Sequence, residues 1–122
     1  QAKAWNAKRA SDMTAIQTQL EAFFQDNGYY PASADLASTT WLSSNMKNLD
    51  PEALIDPSAS PQTVAQSLQD VAPAAKIYSY QPLDASNADC KTAGSQCVSY
   101  TLTATYEGTY NGQTTDVKKN LD

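Results

Sequence analysis

The stretch SDMTAIQTQLEAFFQDNGYYP, residues 11–31, predicts the end of a long amphipathic helix followed by a sharp stop. Its apolar side chains recur every three or four residues, which is the spacing of one helix face. The Asn27-Gly28 pair supplies the left-handed residue that ends many helices, and Pro31 prevents the helix from resuming nearby. Such a helix must bury its apolar face against another part of the fold.

The helical pattern continues towards the N-terminus, with no glycine or proline between Lys3 and Asp26. One side of the helix carries the apolar residues Trp5, Met13, Ile16, Leu20, Phe23 and Phe24. Arg9 and Asp12 interrupt that side at a spacing that allows an i,i+3 ion pair. Because charged side chains seldom enter a dry core, we expect burial from Met13 onwards and a largely exposed helix before Asp12. The two phenylalanines are expected to lie against a sheet.

The first turns of the helix carry four alanines, Ala2, Ala4, Ala7 and Ala10. Small side chains let a second helix approach closely, although alanine is also simply a good helix former. No Ser, Thr, Asp or Asn stands before this helix as an N-cap. We therefore expect that the chain begins within a longer helix whose upstream part is missing; the alternative is a frayed N-terminus.

Residues 31–75 predict a long connection that carries short helical turns, since they hold most of the prolines and much Ser, Ala and Asp. One turn is predicted around residues 40–48. Two more are predicted at Asp50-Pro51 and Ser60-Pro61, because Asp or Ser followed by proline is a helix start signal. The apolar face of the third helical turn would comprise Val64, Leu68 and Val71.

After Pro73 the apolar period changes to two, which predicts β-strands. KIYSY, residues 76–80, is a short strand, and CVSYTLTATYE, residues 97–107, alternates apolar and polar side chains. Asn111-Gly112 is a strong signal for a two-residue hairpin turn, which would place Tyr106 opposite Val117. A bulge at Gly108 would shift this register.

These elements predict one α+β domain, in which a long N-terminal helix packs on a three- to four-stranded antiparallel sheet. The helix occupies residues 1–27, the long αβ loop residues 28–75 and the sheet residues 76–122. The net charge of −5 argues against nucleic-acid binding, which depends on clustered cations. The chain has no histidine and no G-x-S-x-G motif, so we expect neither an enzyme nor a cofactor.

Cys90 and Cys97 are the only cysteines, and they bracket the segment KTAGSQ. Their separation does not fit the C-x-x-C redox pattern, and a zinc site would need further cysteine or histidine ligands. A disulfide that closes a short loop fits best, and it implies an oxidising compartment.

The loop LDASNADC, residues 83–90, is a weak candidate for a calcium site because it offers Asp84, Asn87 and Asp89. The spacing does not fit an EF-hand, and no distal glutamate follows. A solvated turn is the simpler interpretation, so no metal site is expected.

Three segments resemble the soluble part of type IV pilins and pseudopilins. The most specific is the helix and its stop in residues 11–31, which resembles the family's helix followed by an Asn-Gly-x-Tyr-Pro junction. DPEALIDPS, residues 50–58, resembles the variable loop, and residues 78–108 resemble the cysteine-bracketed hairpin of some pilins.

The resemblance implies a pilin-like fold and an apolar helical segment upstream of Gln1. It further implies membrane anchoring before assembly, and then polymerisation with other pilin subunits into a filament on the cell surface. The surface between subunits would include Ala2, Trp5, Arg9 and Asp12. Lys3 and Lys8, together with Arg9, would lie near lipid head groups before assembly.

Three alternative functions remain open: a non-polymerising surface binding module, an adhesin-like minor pilin and a type II secretion pseudopilin. A binding module could use an aromatic face made of Tyr29, Tyr30, Tyr78, Tyr80, Tyr100, Tyr106 and Tyr110. Tyrosines that alternate along a strand more often serve sheet packing.

Overall fold

The computed structural model describes all 122 residues and shows a long helix packed across one face of a four-stranded sheet. Its helices are α1 (Ala2–Asn27), α2 (Ser33–Leu36), α3 (Thr39–Asn45) and α4 (Val64–Ser67), with a 3-10 turn at Pro51–Leu54. Its strands are β1 (Leu68–Gln69), β2 (Tyr78–Leu83), β3 (Ser99–Tyr110) and β4 (Gln113–Lys119). The predicted α+β class is confirmed.

Helix α1 ends where the sequence predicts. Gly28 has φ 82°, in the left-handed region, and its N–H donates to the carbonyl of Phe24 at 2.7 Å. Met13, Ile16 and Leu20 on the inner side of the helix are completely buried in the single hydrophobic core. The helix therefore covers the sheet from Met13 onwards, as its apolar spacing requires.

The sheet is mixed, so the prediction of a purely antiparallel sheet is wrong. The strand order is β1-β2-β3-β4, and β1 pairs with β2 in parallel, Leu68 opposite Tyr78. Strand β1 lies within the segment that we predicted to be loop and a third helical turn. That turn is shorter than predicted, because α4 ends at Ser67 and leaves Val71 exposed.

Two of the three predicted helix starts in the long loop have the expected position. Asp50 caps the 3-10 turn by accepting from the N–H of Glu52 at 3.0 Å, and α3 covers most of residues 40–48. The third is wrong: the Ser60-Pro61 bond is cis, and α4 begins after Thr63, whose hydroxyl accepts from the N–H of Gln66.

The β3–β4 hairpin turns at Asn111-Gly112 as predicted, with Tyr110 opposite Gln113. The register then shifts between Thr105 and Tyr110, where Gly108 has φ 65°. This bulge moves Val117 opposite Thr103 rather than Tyr106, so the simple two-residue register does not hold along the strands. Val117 is consequently half exposed instead of packed on the core.

The aromatic residues at the end of α1 pack mainly on one another. Phe23 contacts Tyr29 and Trp41, with ring centroids 5.4 and 5.2 Å apart, and thereby meets α3 as well as the turn. Phe24 lies 4.6 Å from Tyr30, which in turn meets Tyr100 of β3 edge-on at 4.9 Å. The expectation that both phenylalanines lie directly against the sheet is thus replaced by an aromatic chain that leads from α1 to β3.

Replacing Leu20 with alanine should lower the free energy of unfolding by about 2–5 kcal/mol, because it opens a cavity at a completely buried position. Urea unfolding monitored by circular dichroism would measure the change. Thr18→Ala, on the exposed side of the same helix, should change stability by no more than about 0.5 kcal/mol. Equal losses for the two variants would contradict the burial of this face.

Candidate functional site: the N-terminal half of helix α1

Arg9 is completely buried and forms the centre of a polar cluster. Its Nε and Nη2 donate to the two carboxylate oxygens of Asp56 at 2.9 and 3.0 Å, a bidentate geometry. Nη1 donates to Asn6 at 2.8 Å and to Glu107 at 3.1 Å, and Nη2 also donates to the hydroxyl of Ser58 at 3.0 Å. All five N–H groups of the guanidinium are therefore used, which is the condition for burying it.

Asn6 joins the helix to the bulge in β3. Its side-chain oxygen accepts from the backbone N–H of Glu107 at 3.0 Å, and its side-chain nitrogen donates to the carbonyl of the same residue at 3.0 Å. The bulged residues have lost their partners on β4, so this side chain satisfies backbone groups that would otherwise lack hydrogen bonds.

Asp56 connects the same cluster to the long loop. Its carboxylate accepts from the N–H and the hydroxyl of Ser58, and its own N–H donates to the hydroxyl of Ser67 at 2.8 Å. Burial by itself would raise the pKa of Asp56, but the hydrogen bonds from Arg9 and Ser58 outweigh it and hold the pKa below its ordinary value. Asp56 is therefore present as a carboxylate paired with Arg9.

Asp12 lies beside this cluster and has different partners. Its carboxylate accepts from Lys8 at 2.5 Å and from the hydroxyl of Tyr78 at 2.6 Å. Lys8 also donates to the carbonyls of Glu52 and Ile55, at 3.1 and 3.0 Å. Burial is the largest influence on Asp12 and raises its pKa despite these two hydrogen bonds.

The expectation that the charged residues of this helix stay out of the core is therefore wrong. Arg9 and Asp12 are both buried, and they pair with other residues rather than with each other. The main partners of Arg9, Asp56 and Glu107, are distant in sequence, so no local pattern indicated them. The interruption of an apolar stripe by an arginine was the available signal, since an arginine on the inner side of a helix needs a buried acceptor.

The predicted assembly residues do not form one exposed surface. Ala2 is exposed and Trp5 is partly buried, whereas Arg9 and Asp12 face the interior. The outer side of α1 instead presents a line of exposed, small side chains at helical spacing: Ala4, Ala7, Ser11, Thr14 and Thr18. Sequence spacing placed these residues opposite Met13 and Ile16 but did not single them out.

The predicted disulfide between Cys90 and Cys97 is present, with the two Cα atoms 5.9 Å apart. Cys97 and Tyr30 exchange two backbone hydrogen bonds, of 2.8 and 3.1 Å, which attach the disulfide loop to the chain just after α1. Gly94 within the loop donates to both carboxylate oxygens of Asp35. The disulfide thus stabilises the junction at the C-terminal end of the helix.

The acidic loop is arranged as a turn. One carboxylate oxygen of Asp84 accepts from the N–H groups of Ser86 and Ala88, at 2.8 and 3.0 Å. Asn87 has φ 64°, and Asp89 forms a bridge to Leu83. No three carboxylate, cysteine or histidine groups in the chain are close enough together to hold a metal ion.

Most of the tyrosines proposed as an aromatic binding face are inside the protein. The buried members are Tyr30, Tyr78, Tyr80, Tyr100 and Tyr106. Only Tyr29 and Tyr110 are partly accessible, and they belong to different elements: Tyr29 follows α1 and Tyr110 ends β3. The structure therefore contradicts an extended aromatic binding face and supports sheet packing.

None of the helices combines the length and the hydropathy that a membrane-spanning segment requires. Comparisons with protein-family models, with curated proteins and with solved structures found no match to the chain.

Replacing Arg9 with methionine should lower the free energy of unfolding by about 3–5 kcal/mol, because it leaves Asp56 buried without its counter-charge. The double variant Arg9→Met/Asp56→Asn should recover a large part of this loss, which urea unfolding of the single and double variants would measure. Lys3→Ala, at an exposed position of the same helix, serves as the control. Simple addition of the two single losses would contradict a direct pairing.

The acid limb of the stability curve should depend on Asp56 and Asp12 with opposite signs. The lowered pKa of Asp56 contributes stability above its unfolded pKa, and this contribution is lost as the pH falls through its folded pKa. The raised pKa of Asp12 makes the folded state bind a proton first, which favours folding as the pH falls. Below about pH 5, Asp56→Asn should flatten the loss of stability and Asp12→Asn should steepen it. Chemical unfolding at several pH values would test both slopes, and equal slopes in the two variants would contradict the assignment.

Proposed function

We propose that this chain is the globular domain of a structural subunit of a type IV pilus or a related filament, and that it polymerises through its N-terminal helix. The observation that carries the proposal is the asymmetry of α1. The sheet and the long loop cover its inner side along its whole length, whereas its outer side presents only small exposed residues from Ala4 to Thr18. A helix with this outer side is suited to close packing against helices of other subunits.

The polar cluster around Arg9 holds the first turns of α1 against the rest of the domain. Arg9 and Asn6 connect the first turns of α1 to the long loop through Asp56 and to β3 through Glu107. These contacts fix the direction in which the helix leaves the domain. In a filament, that direction sets the position of the globular domain relative to the packed helices.

The structure changes which residues we assign to assembly and to the membrane surface. Arg9 and Asp12 act inside the domain, so we place the subunit contact on Ala4, Ala7 and the exposed residues that follow them. Of the three early cations, only Lys3 is classed as exposed, because Arg9 is buried and Lys8 is partly buried and bound to Asp12 and two backbone carbonyls. We therefore propose Lys3 as the cation that faces lipid head groups before assembly.

A cell-surface location follows from the same proposal and has the disulfide as its support. Disulfides persist in oxidising compartments. The role we propose is structural, without enzymatic activity and without a cofactor. The partners are further copies of the subunit.

Protein isolated from its native location without reducing agent should contain no free thiols, which titration of the unfolded protein and intact mass would show. Replacing both cysteines with serine should lower the free energy of unfolding by about 2.5 kcal/mol, the loop-closure value for so short a ring. Two free thiols in the native protein would contradict an extracellular location.

Filament formation can be tested with the full-length gene in its source cells. Antibodies raised against residues 1–122 should label surface filaments in electron micrographs, and deletion of the gene should remove them. Ala7→Trp should abolish or strongly reduce the sheared filament fraction because it places a large side chain on the outer side of α1. Ala85→Trp, in an exposed loop far along the chain, is the matched control and should assemble.

The melting temperature of each isolated domain would show that both variants fold. Normal assembly of the Ala7→Trp subunit would contradict the proposed contact surface. Labelling of the cell surface without any filament would favour the non-polymerising binding module, and dependence of the filaments on a secretion apparatus would identify a pseudopilin.

A further inference from the structure

The chain contains two Asn-Gly pairs, Asn27-Gly28 and Asn111-Gly112, which are both exposed but differ in their hydrogen bonding. We propose that Asn111 is a site of spontaneous covalent modification, at which the side-chain amide is converted to aspartate and isoaspartate. The proposal is independent of filament assembly, because it rests only on the geometry of the β3–β4 turn.

The reaction needs only the chain and water. The backbone nitrogen of Gly112 attacks the side-chain amide carbon of Asn111 and forms a C–N bond, which closes a five-membered imide. The bond from that carbon to the side-chain nitrogen breaks, and the nitrogen leaves as ammonia with the proton lost by Gly112. Water then opens the imide at one of its two carbonyls, which gives either aspartate or isoaspartate.

Both reacting groups of Asn111-Gly112 are free. Asn111 and Gly112 are exposed, and neither the side chain of Asn111 nor the N–H of Gly112 makes a hydrogen bond. No residue beyond its chain neighbours lies within 4 Å of where a Cβ would stand on Gly112, so the turn is not packed against another part of the fold at this point.

The second pair provides an internal comparison. Asn27 lies in the last turn of α1, and its side-chain nitrogen donates to the carbonyl of Phe23 at 2.9 Å. The N–H of Gly28, which would be the attacking nitrogen, donates to Phe24 at 2.7 Å. Both groups are therefore held by hydrogen bonds that must break before the imide can form.

The products would change the charge and the backbone at the tip of the hairpin. Asn111 borders a groove of about 360 Å³ that also includes Ala2, Lys3 and Asn6 at the start of α1. A new carboxylate would thus arise in a groove that Lys3 and Glu107 also line, at the N-terminal end of α1 where the helix dipole favours negative charge. The isoaspartate form inserts a methylene group into the backbone and is incompatible with the spacing of a two-residue turn.

The test is peptide mapping by mass spectrometry after the purified protein has been incubated in mildly alkaline buffer. A parallel sample is incubated in urea, and both are sampled over time. In the folded protein, conversion at Asn111 should be at least about tenfold faster than at Asn27, since Asn27 reacts only after local opening. In urea the two rates should approach each other. An isoaspartate-specific methyl-transfer assay should show isoaspartate among the products at Asn111.

Asn111→Gly is the matched control, because Gly-Gly suits the same turn and has no side-chain amide. This variant should lose the conversion at the turn while the rate at Asn27 stays unchanged. Equal rates at Asn27 and Asn111 in the folded protein would overturn the proposal. Conversion of Asn111 in urea but not in the folded protein would overturn it too, since it would show that the turn protects the residue.

Discussion

The ion pair between Arg9 and Asp56 is the interaction on which the arrangement of this domain depends. Both side chains are completely buried, and removing two charges from water carries a cost of several kcal/mol for each ion. The cost is offset only because every N–H of the guanidinium and both oxygens of the carboxylate have partners. The Arg9–Asp56 pair with all its hydrogen bonds can therefore form only when α1, the long loop and β3 have reached their native positions.

The other end of α1 is held by a different set of contacts. Glu21 accepts hydrogen bonds from the hydroxyls of Tyr30 and Tyr100, and burial together with this carboxylate raises the pKa of both tyrosines well above its ordinary value. The aromatic chain from Phe24 and the disulfide loop lie at the same junction. Helix α1 is thus attached to the rest of the domain at both ends of its inner side. Its outer side is exposed and is accessible to neighbouring molecules.

The bulge in β3 is stabilised by contacts with the first turns of α1. It shifts the register of β4, which exposes Val117, and it leaves backbone groups of Glu107 without partners on the neighbouring strand. Asn6 supplies those partners from the helix, and Glu107 then reaches Arg9. The hairpin tip and the start of α1 are consequently held close together, which is why Asn111 borders a groove shared with the helix.

The sequence by itself determined those features whose physical cause is local. The apolar spacing and the Asn27-Gly28 stop fixed the helix and its end, the Asn111-Gly112 pair fixed the hairpin turn, and the two cysteines had no partner except each other. Only the tertiary structure decided the fate of Arg9, because its main acceptors are 47 and 98 residues away and no local pattern specifies such pairings. The parallel strand β1 was decided in the same way, since two residues have too little periodicity to predict a strand and gain their hydrogen bonds only from β2.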